Sequence, residues 1–148
     1  LLLIDVMAFG KKRAAFVEYY DLTATGAACP ALEAVASQYG ALPDYAEKPA
    51  WYVAARTPYS LIKGGSDDAR LIAMLTDSVA AYGATCAARC EFRMENCAGL
   101  RSFVDRMVEQ GNPASATLEK VLGKERAEAF FRTAVMPATY QTDTKEII

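Results

Sequence analysis

One acidic residue interrupts the opening run Leu1-Leu2-Leu3-Ile4-Asp5-Val6-Met7-Ala8-Phe9. If that run is a buried strand, a charged carboxyl in it costs on the order of several kcal/mol unless it finds partners or takes up a proton. Desolvation favours the protonated acid, and an acid holding its proton near neutral pH can deliver it to a substrate. Strand alternation also allows the plainer arrangement, with Asp5 on the solvent face of an edge strand. The chain has no histidine. This removes the commonest general base, the Ser-His-Asp and Cys-His pairings, and every histidine metal site. Any proton chemistry must therefore run through carboxylates, water or the substrate.

Cys86, Cys90 and Cys97 recur at spacings of 4 and 7, which return to one side of a helix, while Cys29 is remote. One helix cannot wrap three thiolates around a metal, so the expectation is core thiols and no metal centre. Helix neighbours at i and i+4 seldom have disulfide geometry, and the opening apolar run, broken by Asp5 and without a basic segment, does not read as a secretory signal. Free thiols in a reducing cytoplasm follow.

The elements that must position these groups are readable from periodicity. Residues 1 to 9 read as a buried strand, Gly10-Lys11-Lys12 as a hairpin turn, and Arg13 to Leu22 as a second strand. A helix is expected over Ala31 to Tyr39, a short one over Ala50 to Arg56, and a strand over Pro58 to Lys63. Ser66 is placed to cap a long helix whose first turn holds Asp67 and Asp68 and which runs to about Cys90. Further helices are expected over Glu95 to Gln110, from Asn112-Pro113, and over Lys124 to Val135. The tail from Pro137 is polar. Strands come first and helices later, which suits an α/β/α sandwich with a central antiparallel sheet flanked by helices.

With 148 residues, the chain suits a single domain spanning 1 to 148. It begins inside a strand without a starting Met, so N-terminal strands and helices are expected to be absent from it. Its net charge of −2 predicts no nucleic-acid binding. Asp5 breaks the first apolar run too early for a membrane span. There is no GxGxxG or GxxxxGK loop, and the Gly64-Gly65-Ser66 turn is too short to cradle a phosphate.

Four segments, in order, resemble the ferredoxin-dependent bilin reductases. Leu3-Ile4-Asp5-Val6-Met7-Ala8-Phe9-Gly10, followed by Ala14-Ala15-Phe16 and Asp21-Leu22, is similar to that family's signature hairpin. Ala55-Arg56-Thr57-Pro58-Tyr59-Ser60-Leu61-Ile62-Lys63-Gly64-Gly65 resembles its Ser-Pro-Tyr-Leu-Leu-Phe segment, and the acidic stretch and long helix that follow match in length. Gly111-Asn112-Pro113-Ala114, Leu122-Gly123-Lys124-Glu125, Phe130-Phe131 and Met136-Pro137 resemble its C-terminal block.

The resemblance implies reduction of a linear tetrapyrrole, biliverdin or a related bilin, by single electrons from reduced ferredoxin and with no bound cofactor. Asp5 matches the family's proton-donating aspartate, and Asn112 its polar C-terminal pocket residue. A pigment with two propionates needs cations at its rim, for which Arg13, Arg56 and Lys63 are candidates. Ferredoxins are acidic, so Lys11-Lys12-Arg13 with Arg89, Arg93, Arg101 and Arg106 form the candidate docking surface. Two departures stand out: several family members use a histidine on the strand before the central aspartate, and this chain lacks both that histidine and that strand, while Arg126 occupies the tryptophan position after Gly-Lys-Glu. They keep open a non-catalytic tetrapyrrole carrier or sensor of the same fold, and a pure interaction domain.

Overall fold

The computed structural model describes residues 1–22, 26, 28–88, 94–112 and 114–136. They fall into two compact units, Leu1–Glu91 and Phe92–Ile148.

The first unit opens with strands β1 (Leu2–Phe9) and β2 (Lys12–Tyr19). The two-residue turn between them places Gly10 at φ 61°, a left-handed angle that glycine adopts without Cβ strain. Strand β3 (Leu61–Gly65) pairs with the far side of β2, so the antiparallel sheet runs β1-β2-β3 with β2 central. Helices α1 (Pro30–Tyr39), α2 (Trp51–Ala54) and α3 (Asp68–Ala88) complete the unit. The chain is thus a mixed α/β fold with a three-stranded antiparallel sheet.

Register assigns each side chain to a sheet face. Ala15, Val17 and Tyr19 of β2 and Leu61 of β3 share the face that packs on α1 and α3. They form a core with Leu32, Val35 and Tyr39 of α1 and Leu71, Met74 and Ala81 of α3. These helical positions recur at spacings of three, four and seven residues, which is why the periodic signal located both helices. Helix α3 is long and apolar enough to cross a membrane by length and composition, but Leu71, Met74, Ser78 and Ala81 along one side are buried within the protein. Its start is capped by Asp67, whose carboxylate accepts the Arg70 N–H at 3.1 Å, rather than by Ser66 as the sequence suggested. A carboxylate complements the helix N-terminus better than a hydroxyl does.

One expectation fails here. Strand β1 is an edge strand, and Ile4, Val6 and Phe9 are 41%, 49% and 52% exposed. Apart from Asp5 its residues are apolar or small, a composition that suggested burial. Among the described residues of the first unit, however, α3 packs on β2, and from β1 Leu2 reaches the core while Ile4 and Val6 stay exposed.

The second unit holds α4 (Met94–Glu109), α5 (Ser115–Leu122), α6 (Lys124–Phe130) and a π-helical turn (Phe131–Val135). Its buried side chains include Phe103, Val104, Met107, Ala127, Phe131 and Met136. Gly123, at φ 77°, breaks what would otherwise be one helix into α5 and α6. The third expected helix begins at Ser115 rather than at Asn112, and Pro113 lies outside the described residues. Arg132 of the π-helical turn bonds Asp105 of α4 at 2.5 Å.

Candidate functional site

The sheet face turned away from α1 and α3 carries Leu3, Asp5 and Met7 of β1, Ala14, Phe16 and Glu18 of β2, and Ile62 of β3. Asp5 stands in the middle of β1, opposite Phe16, and is exposed. The burial expected for it is therefore corrected: the protein alone does not strip its carboxyl of water.

The local geometry explains where the carboxyl goes. Leu1 and Tyr20 exchange both backbone hydrogen bonds at 2.9 Å, so by antiparallel alternation the even-numbered residues of β1 turn their amides to the free edge. Val6 is one of them, and its N–H donates to Asp5 Oδ1 at 2.7 Å. An acidic residue that occupies an edge amide also discourages pairing with another strand.

The same face holds a buried ionic cluster that sequence reasoning missed. Glu18 is 6% exposed and lies diagonally across the strand pair from Asp5. Arg56 Nη2 donates to Glu18 Oε1 at 2.7 Å, and Tyr20 Oη donates to Glu18 Oε2 at 2.5 Å. The guanidinium also grips Glu47 through both terminal nitrogens, at 2.5 and 3.0 Å, and lies 6.0 Å from the ring centre of Tyr52. Burial opposes the charge on Arg56, but hydrogen bonds and the charges of Glu47 and Glu18 more than offset it and hold its pKa above the ordinary value. Burial, then the Glu18 bond and charge, push the Tyr20 phenol well above its usual value. The available signal was a charge at Glu18 in a row otherwise occupied by Ala14, Phe16 and Tyr20, since such a residue requires a partner.

Arg56 is therefore spent internally and does not present its charge at a rim. Lys63 is also committed. It projects from the helix-covered face and donates to the Gly40 and Leu42 carbonyls and to Asp44, at 2.9, 3.1 and 2.6 Å, tying down the end of α1. Arg13, half-buried, donates to the Gly10 and Lys12 carbonyls at the hairpin and lies 3.6 Å from Asp68. Only Arg56 among the three expected cations shares a face with Asp5.

Asn112 belongs to the second unit, where it is a helix connector. Its Nδ2 donates to the Met107 carbonyl at 3.2 Å, its Oδ1 accepts the Ala114 N–H at 2.9 Å, and its own N–H donates to Ser115 Oγ at 2.8 Å. It borders a cavity of about 10 Å³, room for one water at most. Of the expected docking cations, Arg89 and Arg93 lie outside the described residues, Arg106 donates to Gln110 at 2.9 Å, and Lys11 and Lys12 are exposed at the hairpin. Cys90 also lies outside the described residues. No group of three or more Cys, Asp or Glu among the described residues is arranged to hold a metal ion.

A separate cavity of about 550 Å³ opens at one end of the first unit. Its walls include Tyr19, Asp21, Leu32, Tyr59, Tyr82 and Cys86, and Asp5 is not among them. No protein-family model and no curated protein matches this chain.

Proposed function

We propose that this protein reduces a linear tetrapyrrole, biliverdin or a related bilin, by two one-electron transfers from reduced ferredoxin coupled to protonation. The observation that carries the reading is Asp5: one carboxyl in the middle of a strand, exposed on the sheet face opposite α1 and α3, and flanked by Leu3, Met7 and Phe16. A flat conjugated pigment lying on that row would make apolar contact on either side of the acid and displace its water. A carboxyl covered in this way favours its protonated form and becomes a proton donor. Two electrons from two ferredoxins and two protons saturate one double bond of the pigment. Asp5 supplies one of the protons and is reprotonated from solvent. The buried Glu18–Arg56–Glu47 cluster keeps the adjoining part of the face rigid. The reading brings with it a three-layer α/β/α arrangement, with helices on both sheet faces, and docking of acidic ferredoxin on basic residues such as Lys11 and Lys12.

A carrier or sensor of the same pigment is the second reading. It is favoured by the absence of histidine and by the internal pairing of Arg56, which leave the face with fewer groups for chemistry. Adding biliverdin and following its absorbance separates the two. Reduction predicts a spectral shift on binding and conversion to a new pigment when reduced ferredoxin is added anaerobically. A shift without conversion identifies the carrier, and no shift removes both. Asp5→Asn is expected to retain the binding shift and lower the rate of conversion by about two orders of magnitude, as loss of a general acid does; undiminished turnover would refute its role.

A further inference from the structure

Beside the hairpin, the sheet carries a surface pocket of about 480 Å³, within the size range of small-molecule sites. Its walls include Phe9, Lys12, Pro43, Tyr45 and Gly64, and Asp5 is not among them. Register explains how residues so far apart in the chain converge. Phe9 pairs with Lys12 across β1 and β2, and Gly64 pairs with Ala14 across β2 and β3. The Tyr45 N–H donates to the Ile62 carbonyl at 3.0 Å, and the Gly64 N–H to the Pro43 carbonyl at 2.8 Å. Residues 43–45 thus extend the sheet beyond β3, and these side chains fall on the face that carries Asp5.

The rings of Phe9 and Tyr45 stack with centroids 6.2 Å apart and planes 6° apart, and Phe16 meets the Tyr45 ring edge-on at 5.5 Å. Phe9 is nevertheless half-exposed, which leaves ring surface for a further flat partner. Gly64 adds no side chain to the floor. Its backbone is not left-handed, and a Cβ there would meet Tyr45 Cβ at 3.5 Å and the Arg13 carbonyl oxygen at 3.6 Å, both ordinary contacts. The sheet would therefore accept a side chain at this position, and the glycine leaves the space open.

The charges in the wall are matched except for one. Asp44 accepts from the Lys63 ammonium at 2.6 Å, and that lysine projects from the opposite, helix-covered face. Arg13 donates to the Gly10 and Lys12 carbonyls and lies 3.6 Å from Asp68. Lys12 is exposed, and its ammonium has no partner among the described residues. A cation free beside stacked rings favours an aromatic anion.

We infer that this pocket binds a flat aromatic carboxylate, its ring against Phe9 and Tyr45 over Gly64 and its carboxylate on the Lys12 ammonium. The inference goes beyond the reductase reading and needs neither Asp5 nor a pigment, although Lys12 is also one of the basic residues assigned there to ferredoxin.

Isothermal titration of the whole chain with 2-naphthoate, and with 2-naphthylmethylammonium as a cation on the same ring, tests it. Naphthoate is expected to bind at one site and at least about tenfold more tightly than the ammonium. Lys12→Met should erase that preference and Lys12→Arg should keep it. Lys11→Met removes the same charge from outside the wall and should change naphthoate affinity by less than about twofold. Gly64→Val should abolish binding while circular dichroism stays native. Should the valine variant not fold, Phe9→Ala, at a half-exposed position, should still weaken naphthoate about fivefold. Equal affinity for the two ligands, no saturable heat, equal losses in the Lys11 and Lys12 variants, or undiminished binding in Phe9→Ala or in folded Gly64→Val would each overturn the assignment.

Discussion

The two faces of strand β2 are built from alternate residues of one eight-residue segment, yet they are held by different forces. Ala15, Val17 and Tyr19 pack into an apolar core against α1 and α3. One residue over, Glu18 is bound by Arg56 and Tyr20, and Arg56 in turn by Glu47. Apolar burial is non-directional and tolerates small adjustments. Buried charge is conditional on each partner being present, because an unpaired ion keeps the full desolvation cost. The difference teaches that one strand can place a tolerant surface beside an exacting one, and the exacting one adjoins the proposed catalytic acid.

Breaking the ionic face should have the largest effect. Arg56→Ala leaves Glu18 and Glu47 without their shared cation and is expected to lower the unfolding free energy by about 3–5 kcal/mol in urea. Replacing all three together, with Glu18→Leu, Glu47→Leu and Arg56→Met, should cost much less than the single change. Equal losses would mean that the three do not act as one network. On the apolar face, Met74→Ala removes a fully buried side chain and should cost about 2–4 kcal/mol, with the same loss at low and high salt. A salt-dependent loss would erase the contrast between the faces.

Alkali sharpens the comparison further. Tyr20 and Tyr19 have folded pKa values raised above the ordinary 10.0, in both cases chiefly by burial, and Tyr82 is raised to about 12. A group raised in the folded state contributes stability that is fully present below its unfolded pKa and lost as pH rises toward and through the folded value. The urea midpoint should therefore hold up to about pH 9 and fall between about pH 10 and 12, and Tyr20→Phe should flatten that decline. An unchanged decline would show that Tyr20 ionisation is not coupled to unfolding. The smallest effect belongs to the second unit: Asn112→Ala removes a helix connector and should cost about 1 kcal/mol without altering the alkaline decline.

Much of the local architecture was legible in advance. The hairpin at Gly10 and the helices around Leu32, Leu71 and Phe131 follow from turn chemistry and apolar spacing, which depend on residues close along the chain. Boundaries shifted where caps competed, as when Asp67 displaced Ser66 at the start of α3. Of the two adjacent aromatics, Phe131 is buried whereas Phe130 is 45% exposed, a choice that neighbouring ring positions do not announce. The site was less legible. Glu18 and Arg56 are separated by 38 residues, and nothing local to either names its partner.

By itself, the sequence determined that its 148 residues include no histidine, that Asp5 lies in a strand followed by a tight turn, and that helices dominate the later part of the chain. Only the tertiary structure decided that β1 is an edge, that Asp5 is exposed, and that Arg56 and Lys63 are consumed by internal partners. Periodicity is written in near neighbours. Which faces are covered and which charges pair is settled by competition among groups distant in the chain, each gaining or losing water according to where the others come to rest.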